Sequence, residues 1–153
     1  MGVGNVLMTD EGIGVHVANK LMECSLPPQV EVLDGGTMGF DLIHHMEGRQ
    51  HLILIDAVQT DEPGGTIFKF SPREISEYVR QAKLSFHQLG FMDMLKVAGF
   101  IDMQLPEILV FGVQPFDIGM GTTLSSKMEA KVSKIIEMVL EEVEKYGKII
   151  QNI

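Results

Sequence analysis

The chain has 153 residues, 45% of them hydrophobic, a formal net charge of -9 and one cysteine. That length and apolar fraction suit one core-forming domain over residues 1–153, and the acidic balance argues against nucleic acid or an anionic lipid surface as a partner. Cys24 alone forms no internal disulfide or thiolate cluster, which suits a reducing cytoplasm; no run of about 18 apolar residues is present to span a membrane, and no signal peptide is visible.

Residues 2–8 read as a glycine turn, Gly2-Val3-Gly4-Asn5, with Thr9 placed to cap a helix starting near Asp10. Ile13, Val17 and Leu21 form one apolar stripe of that helix, which ends before Pro27-Pro28 and takes Cys24 as a buried filler. Val30 to Leu33 is predicted as a short strand, followed by Asp34-Gly35-Gly36-Thr37 and a second helix carrying Leu42, Ile43 and Met46 up to Gly48. His51 to Val58 is apolar with almost no alternation, the pattern of a parallel-sheet strand buried on both faces.

Asp61 to Gly65 is a turn, and Thr66 to Phe70 alternates as a half-exposed antiparallel edge strand does. A short helix near Glu74 to Arg80 follows, then a helix opened by the Ser85–Gln88 capping spacing. Ile108 to Val113 is the next buried strand, and a strongly periodic helix from about Met128 closes the chain, with Gly147 as its stop. The order predicts an α/β three-layer α/β/α sandwich around a mostly parallel twisted sheet with an antiparallel edge strand. A buried strand normally leads into a glycine turn, yet only Met1 precedes this one, so the sequence reads as beginning short of its first strand, a central one.

Three stretches carry candidate chemistry. Asp10 and Glu11 stand at a helix start, where acids also gain about 0.3–1 kcal/mol from the helix dipole without any further role. Asp56 ends the buried strand at the carboxyl edge, where open parallel sheets place ligands and where a carboxylate needs hydrogen bonds, a partner or a metal. Asp34 follows the same logic, with bracing of its glycine loop as the competing role. His87 falls in the first turn of its helix if Ser85 caps it, which keeps the imidazole neutral and able to ligate, although a lone histidine is more often structural. Glu11, Asp56 and His87 together would suit a divalent ion such as nickel, zinc, manganese or iron. No nucleophile elbow or His-Glu-x-x-His pattern is present. The dinucleotide fingerprint also fails, because Leu7 stands where its third glycine belongs.

Five stretches in order resemble the hydrogenase maturation proteases, endopeptidases of nickel–iron hydrogenase assembly: Gly2 to Gly14, Leu33 to Thr37, Leu54 to Val58, Ser85 to Gln88 and Gly112 to Pro115. The resemblance implies a twisted sheet between helices and removal of a C-terminal extension from the large-subunit precursor once nickel is loaded. It implies a metal site at Glu11, Asp56 and His87, with nickel arriving on the substrate and zinc or cadmium able to stand in. For an aspartyl-type endopeptidase of this kind, the ion polarises the scissile carbonyl or activates a water, or Asp10, Asp34 or one of the metal-site carboxylates instead serves as general base; the preferred reading is that the metal mainly measures the precursor's readiness. A non-proteolytic, nickel-dependent chaperone for the precursor is the competing class, and a small-molecule α/β enzyme the third. Oligomeric state is not legible in the sequence.

Overall fold

The computed structural model describes residues 1–72, 74, 95, 98, 99 and 102–151. Its framework is two long strands, β3 (His51–Ala57) and β5 (Glu107–Val113), parallel and in register from His51 opposite Glu107 to Ala57 opposite Val113. β1 (Gly2–Val3) lies between β3 and β2 (Asp34–Gly36), parallel to both, and β4 (Ile67–Phe70) runs antiparallel along the outer edge of β5. Among the described residues the sheet order is β2-β1-β3-β5-β4. The expected mixed sheet with one antiparallel edge is therefore present, whereas Gly2 and Val3, read in the sequence as part of the glycine turn, are themselves the central strand β1, because their backbone pairs with Asp34–Gly36 and Ile55.

The unalternating run in β3 is explained by two-sided burial. Leu52 and Leu54 pack with Val3, Leu42, Met46 and Val110 on one face. Ile55 and Ala57 pack with Phe111 and Val113 on the other, beneath α1 (Ile13–Met22) and α2 (Ser126–Gln151). Successive strand residues point to opposite faces, so both layers draw on the same seven residues. The helices answer with stripes: Ile13, Val17 and Leu21 from α1, and Met128, Val132, Ile135 and Val139 from α2, all buried. Each such side chain contributes about 1.5–3 kcal/mol on leaving water.

Several boundaries differ from expectation. Val30–Leu33 is not a strand; a strand needs a ladder partner, and β1 aligns Gly2 with Asp34 and Val3 with Gly36, so pairing falls on the glycines. Only Leu33 reaches across, its carbonyl accepting from Gly2 N at 2.9 Å. The second helix is a six-residue 3-10 segment, Phe40–His45, too short to form a stable α-helix, which still buries Leu42. Gly147 does not stop α2, which runs to Gln151; a helical glycine costs about 1 kcal/mol, well within what the buried stripe supplies. Cys24 is exposed rather than buried, because α1 ends at Met22 and leaves it past the last turn with its thiol donating to Lys20 O. The helices predicted for 74–80 and from Ser85 fall largely outside the described residues. None of the described helices is long and apolar enough to cross a membrane.

Candidate functional site at the carboxyl edge of the sheet

The connection leaving β1 is folded tightly against the start of α1. Gly4 has φ +140°, and a Cβ there would stand 2.1 Å from Glu11 O; only glycine lets the strand exit pass so close beneath the Glu11 backbone. Asn5 Oδ1 accepts from Leu7 N, and Glu11 N donates to Met8 O, closing a 3-10 turn over Thr9–Gly12. Gly14 then sits directly on the sheet: a Cβ would lie 2.2 Å from Ile55 O and 2.3 Å from Val3 O. This close approach sets the turn bearing Glu11 beside β3, at the end of the strand where Asp56 lies.

Thr9 is not the predicted helix cap, since no side chain caps this turn. Its hydroxyl instead donates to Asp117 O and accepts from Gly119 N, bridging to the segment after β5. Asp10 is fully buried, with 0% exposure. Its carboxylate accepts from Phe116 N, Asp117 N, Ser125 N and Ser125 Oγ at 2.7–3.0 Å. Ser125 in turn caps α2, its hydroxyl accepting from Met128 N. A carboxylate enclosed by these donors has no open path to a water or a scissile peptide, so Asp10 is a structural brace. Nothing local distinguishes it from Glu11 in the sequence; the partners that decide its role lie more than a hundred residues away.

Glu11, by contrast, is half-buried, and no hydrogen bond among the described residues restrains its carboxylate. Asp56 is 3% exposed in β3, opposite Gly112, and its Oδ1 accepts from Ala57 N at 2.8 Å. Asp34 opens β2 and holds Gly36 N at 2.9 Å, the loop-bracing arrangement its position permits. His87 lies outside the described residues, and among those described no three metal-capable side chains cluster. The fold therefore brings Glu11, Asp34 and Asp56 to one edge of the sheet. Two oxygen donors, Glu11 and Asp56, are chemically apt for a divalent ion and would need an imidazole to complete a borderline site. A cavity of about 340 Å³ opens at the opposite end of the sheet, lined by Met1, Leu33, His51, Ile53, Val143 and Tyr146. Glu11, Asp34 and Asp56 do not line it, so its size does not make it the reaction site.

Several proteins similar to this chain share its fold, and these are named as peptidases. The family model described as hydrogenase maturation protease (HycI) matches residues 15–142. The chain is 35% identical over 149 residues to the hydrogenase 2 maturation protease of Escherichia coli strain K12, covering 96% of this chain and 90% of that one. It is 32% identical to the hydrogenase expression/formation protein HoxM of Cupriavidus necator, covering 96% and 74%. The solved hydrogenase maturating endopeptidase HybD from E. coli superposes with a TM-score of 0.86 at 36% identity, over 95% of this chain and 91% of that one. A HybD maturation protease from Thermococcus kodakarensis gives a TM-score of 0.77 at 30% identity, covering 93% and 95%. The chain belongs to the hydrogenase maturation protease family. It is a peptidase.

Proposed function

We propose that the protein is a cytoplasmic endopeptidase that removes the C-terminal extension of a nickel–iron hydrogenase large-subunit precursor after nickel loading. The nickel is part of the substrate, and Glu11, Asp56 and His87 recognise it. The observation that carries the reading is Asp56, a carboxylate buried at the carboxyl edge of a central parallel strand, with Glu11 delivered to the same edge by the Gly4 and Gly14 close approaches. Open parallel sheets bind ligands at this edge, and a substrate-borne cation has the right charge for the carboxylates gathered there. The bound ion supplies polarisation of the scissile carbonyl or acidity at a water. Glu11, half-buried, is the carboxylate best placed to take up a proton, and Asp34 holds the Gly35–Gly36 backbone where an extended tail can approach.

The test is to incubate the protein with nickel-loaded and nickel-free precursor and follow loss of the extension by mass. Processing confined to the loaded form is expected. Equal cutting of both would refute recognition through nickel. Undiminished cutting by His87→Ala would remove that residue from the set.

A further inference from the structure

The loop that leaves β3 beyond Asp56 is pinned to the end of β5 by one side chain. Gln114 Oε1 accepts from Thr60 N at 2.6 Å and from the Thr60 hydroxyl at 2.8 Å, and that hydroxyl accepts from Glu62 N at 3.1 Å. The Gln114 backbone is held as well: its N donates to Thr66 O at 2.9 Å and its O accepts from Gly65 N at 2.8 Å. These partners settle which end of the side-chain amide is which. A backbone N–H can only donate, so the atom that meets Thr60 N is the carbonyl oxygen. The NH2 group is thereby turned away from the loop. Its one partner among the described residues is Pro115 O at 3.5 Å, the outer limit of a hydrogen bond, so at least one of its two N–H groups is left without an acceptor there.

This donor stands on the Asp56 face of the sheet. Asp56 lies opposite Gly112, and Gln114, two residues further along a chain still paired to Thr66, shares the face of Gly112. Strand spacing and rise put the Cα atoms of Asp56 and Gln114 about 8 Å apart, a gap in which one peptide group can be reached by both side chains. We propose that the Gln114 side-chain amide is a catalytic hydrogen-bond donor, its Nε2 holding the oxygen of the scissile carbonyl as charge builds on it. The role rests on the endopeptidase activity proposed above. A donor whose direction is already set needs no rearrangement as the carbonyl oxygen becomes an oxyanion, and so favours the transition state over the bound substrate. Thr60 sets that direction and is a positioning residue.

Two variants separate the donor from the pin. Gln114→Glu keeps an acceptor for Thr60 N and its hydroxyl but has no N–H to give; Gln114→Met keeps the shape with neither function. Cleavage of the purified, nickel-loaded large-subunit precursor by each full-length variant is followed by mass, and amide exchange at Thr60 reads the loop. Both variants are expected to lose about a hundredfold in kcat with KM within about threefold, while exchange at Thr60 quickens only in Gln114→Met. Cutting at the wild-type rate by either variant overturns the donor, since a residue that serves the loop alone is replaced by Glu without loss. A loss confined to KM overturns the transition-state role. Wild type that cuts while the variants behave in either of those ways leaves the endopeptidase activity standing; wild type that leaves the loaded precursor intact overturns that activity and the donor together.

Discussion

Asp10 is the residue whose removal most sharply tests this account. In Asp10→Ala, the N–H groups of Phe116, Asp117 and Ser125 and the Ser125 hydroxyl all lose their acceptor. Hydrogen bonds to a charged group are worth about 1.5–3 kcal/mol each, but four around one carboxylate are not additive, and water can reach part of the segment once it loosens. A loss of about 3–5 kcal/mol follows, from several buried donors left unsatisfied at about 1–3 kcal/mol each less what relaxation recovers, out of a total of about 5–15 kcal/mol. Asp10→Asn keeps one acceptor for Ser125 N but turns an amide NH2 toward the Phe116 and Asp117 donors, so about 2–3 kcal/mol is expected. Denaturant unfolding reads both values, and amide exchange at Phe116, Asp117 and Ser125 should quicken selectively. A loss under about 1 kcal/mol with unchanged exchange would refute the brace. So would an Asp10→Asn protein that is folded, stable and inactive, because that pattern belongs to a chemical role.

Two further perturbations address the frame of the site. Gly14→Ala places a Cβ 2.2 Å from Ile55 O, backbone against backbone, and is expected to cost at least about 3 kcal/mol or prevent folding; a melting temperature within a few degrees of wild type would mean that α1 does not sit this close to β3. The Met1 ammonium donates to Ile53 O, and burial lowers its pKa from 8.0 to about 6. The folded form thus binds its proton less tightly than the unfolded form, so the stabilisation present above pH 8 is lost as pH falls toward 6, by roughly 2–3 kcal/mol at most. Unfolding of the 153-residue chain across that window, compared with an Nα-acetylated chain that lacks the charge, isolates the effect; identical pH profiles for the two would contradict it.

How much of this was legible in the sequence follows from the range of the forces involved. β3 and β5 could be read because burial on both faces writes itself as an unbroken apolar run, and β4 because one wet face enforces alternation. The α2 stripe was equally plain, although Gly147 suggested an end that tertiary packing overrides. Val30–Leu33 misled because β-propensity marks a segment able to pair, whereas the register of β1 decides which residues do. Of the site, Glu11, Asp34 and Asp56 were each found as acids at element ends, and the fold brings them to one edge. The roles of Thr9 and Asp10 could not be found. Both had good local explanations, a cap and a dipole acid, while their actual partners lie in the segment after β5.

That division of labour between two adjacent acids bears on how the site is held. A 3-10 turn advances about 120° per residue, so of two consecutive carboxylates one can point into the protein while its neighbour faces the sheet edge. Asp10 takes the inward direction and locks the turn to the start of α2 through Ser125; Glu11 is carried outward on a backbone whose other side is closed by Gly4. Neither contact touches the Glu11 carboxylate, which leaves it to a substrate while fixing where it stands. The bridge between Met8 and Gly121 ties the turn to the segment after β5 as well, so the Glu11 backbone is held from both sides. Such rigidity suits a peptidase, because a misplacement of about 1 Å in a positioned group can cost a hundredfold in rate.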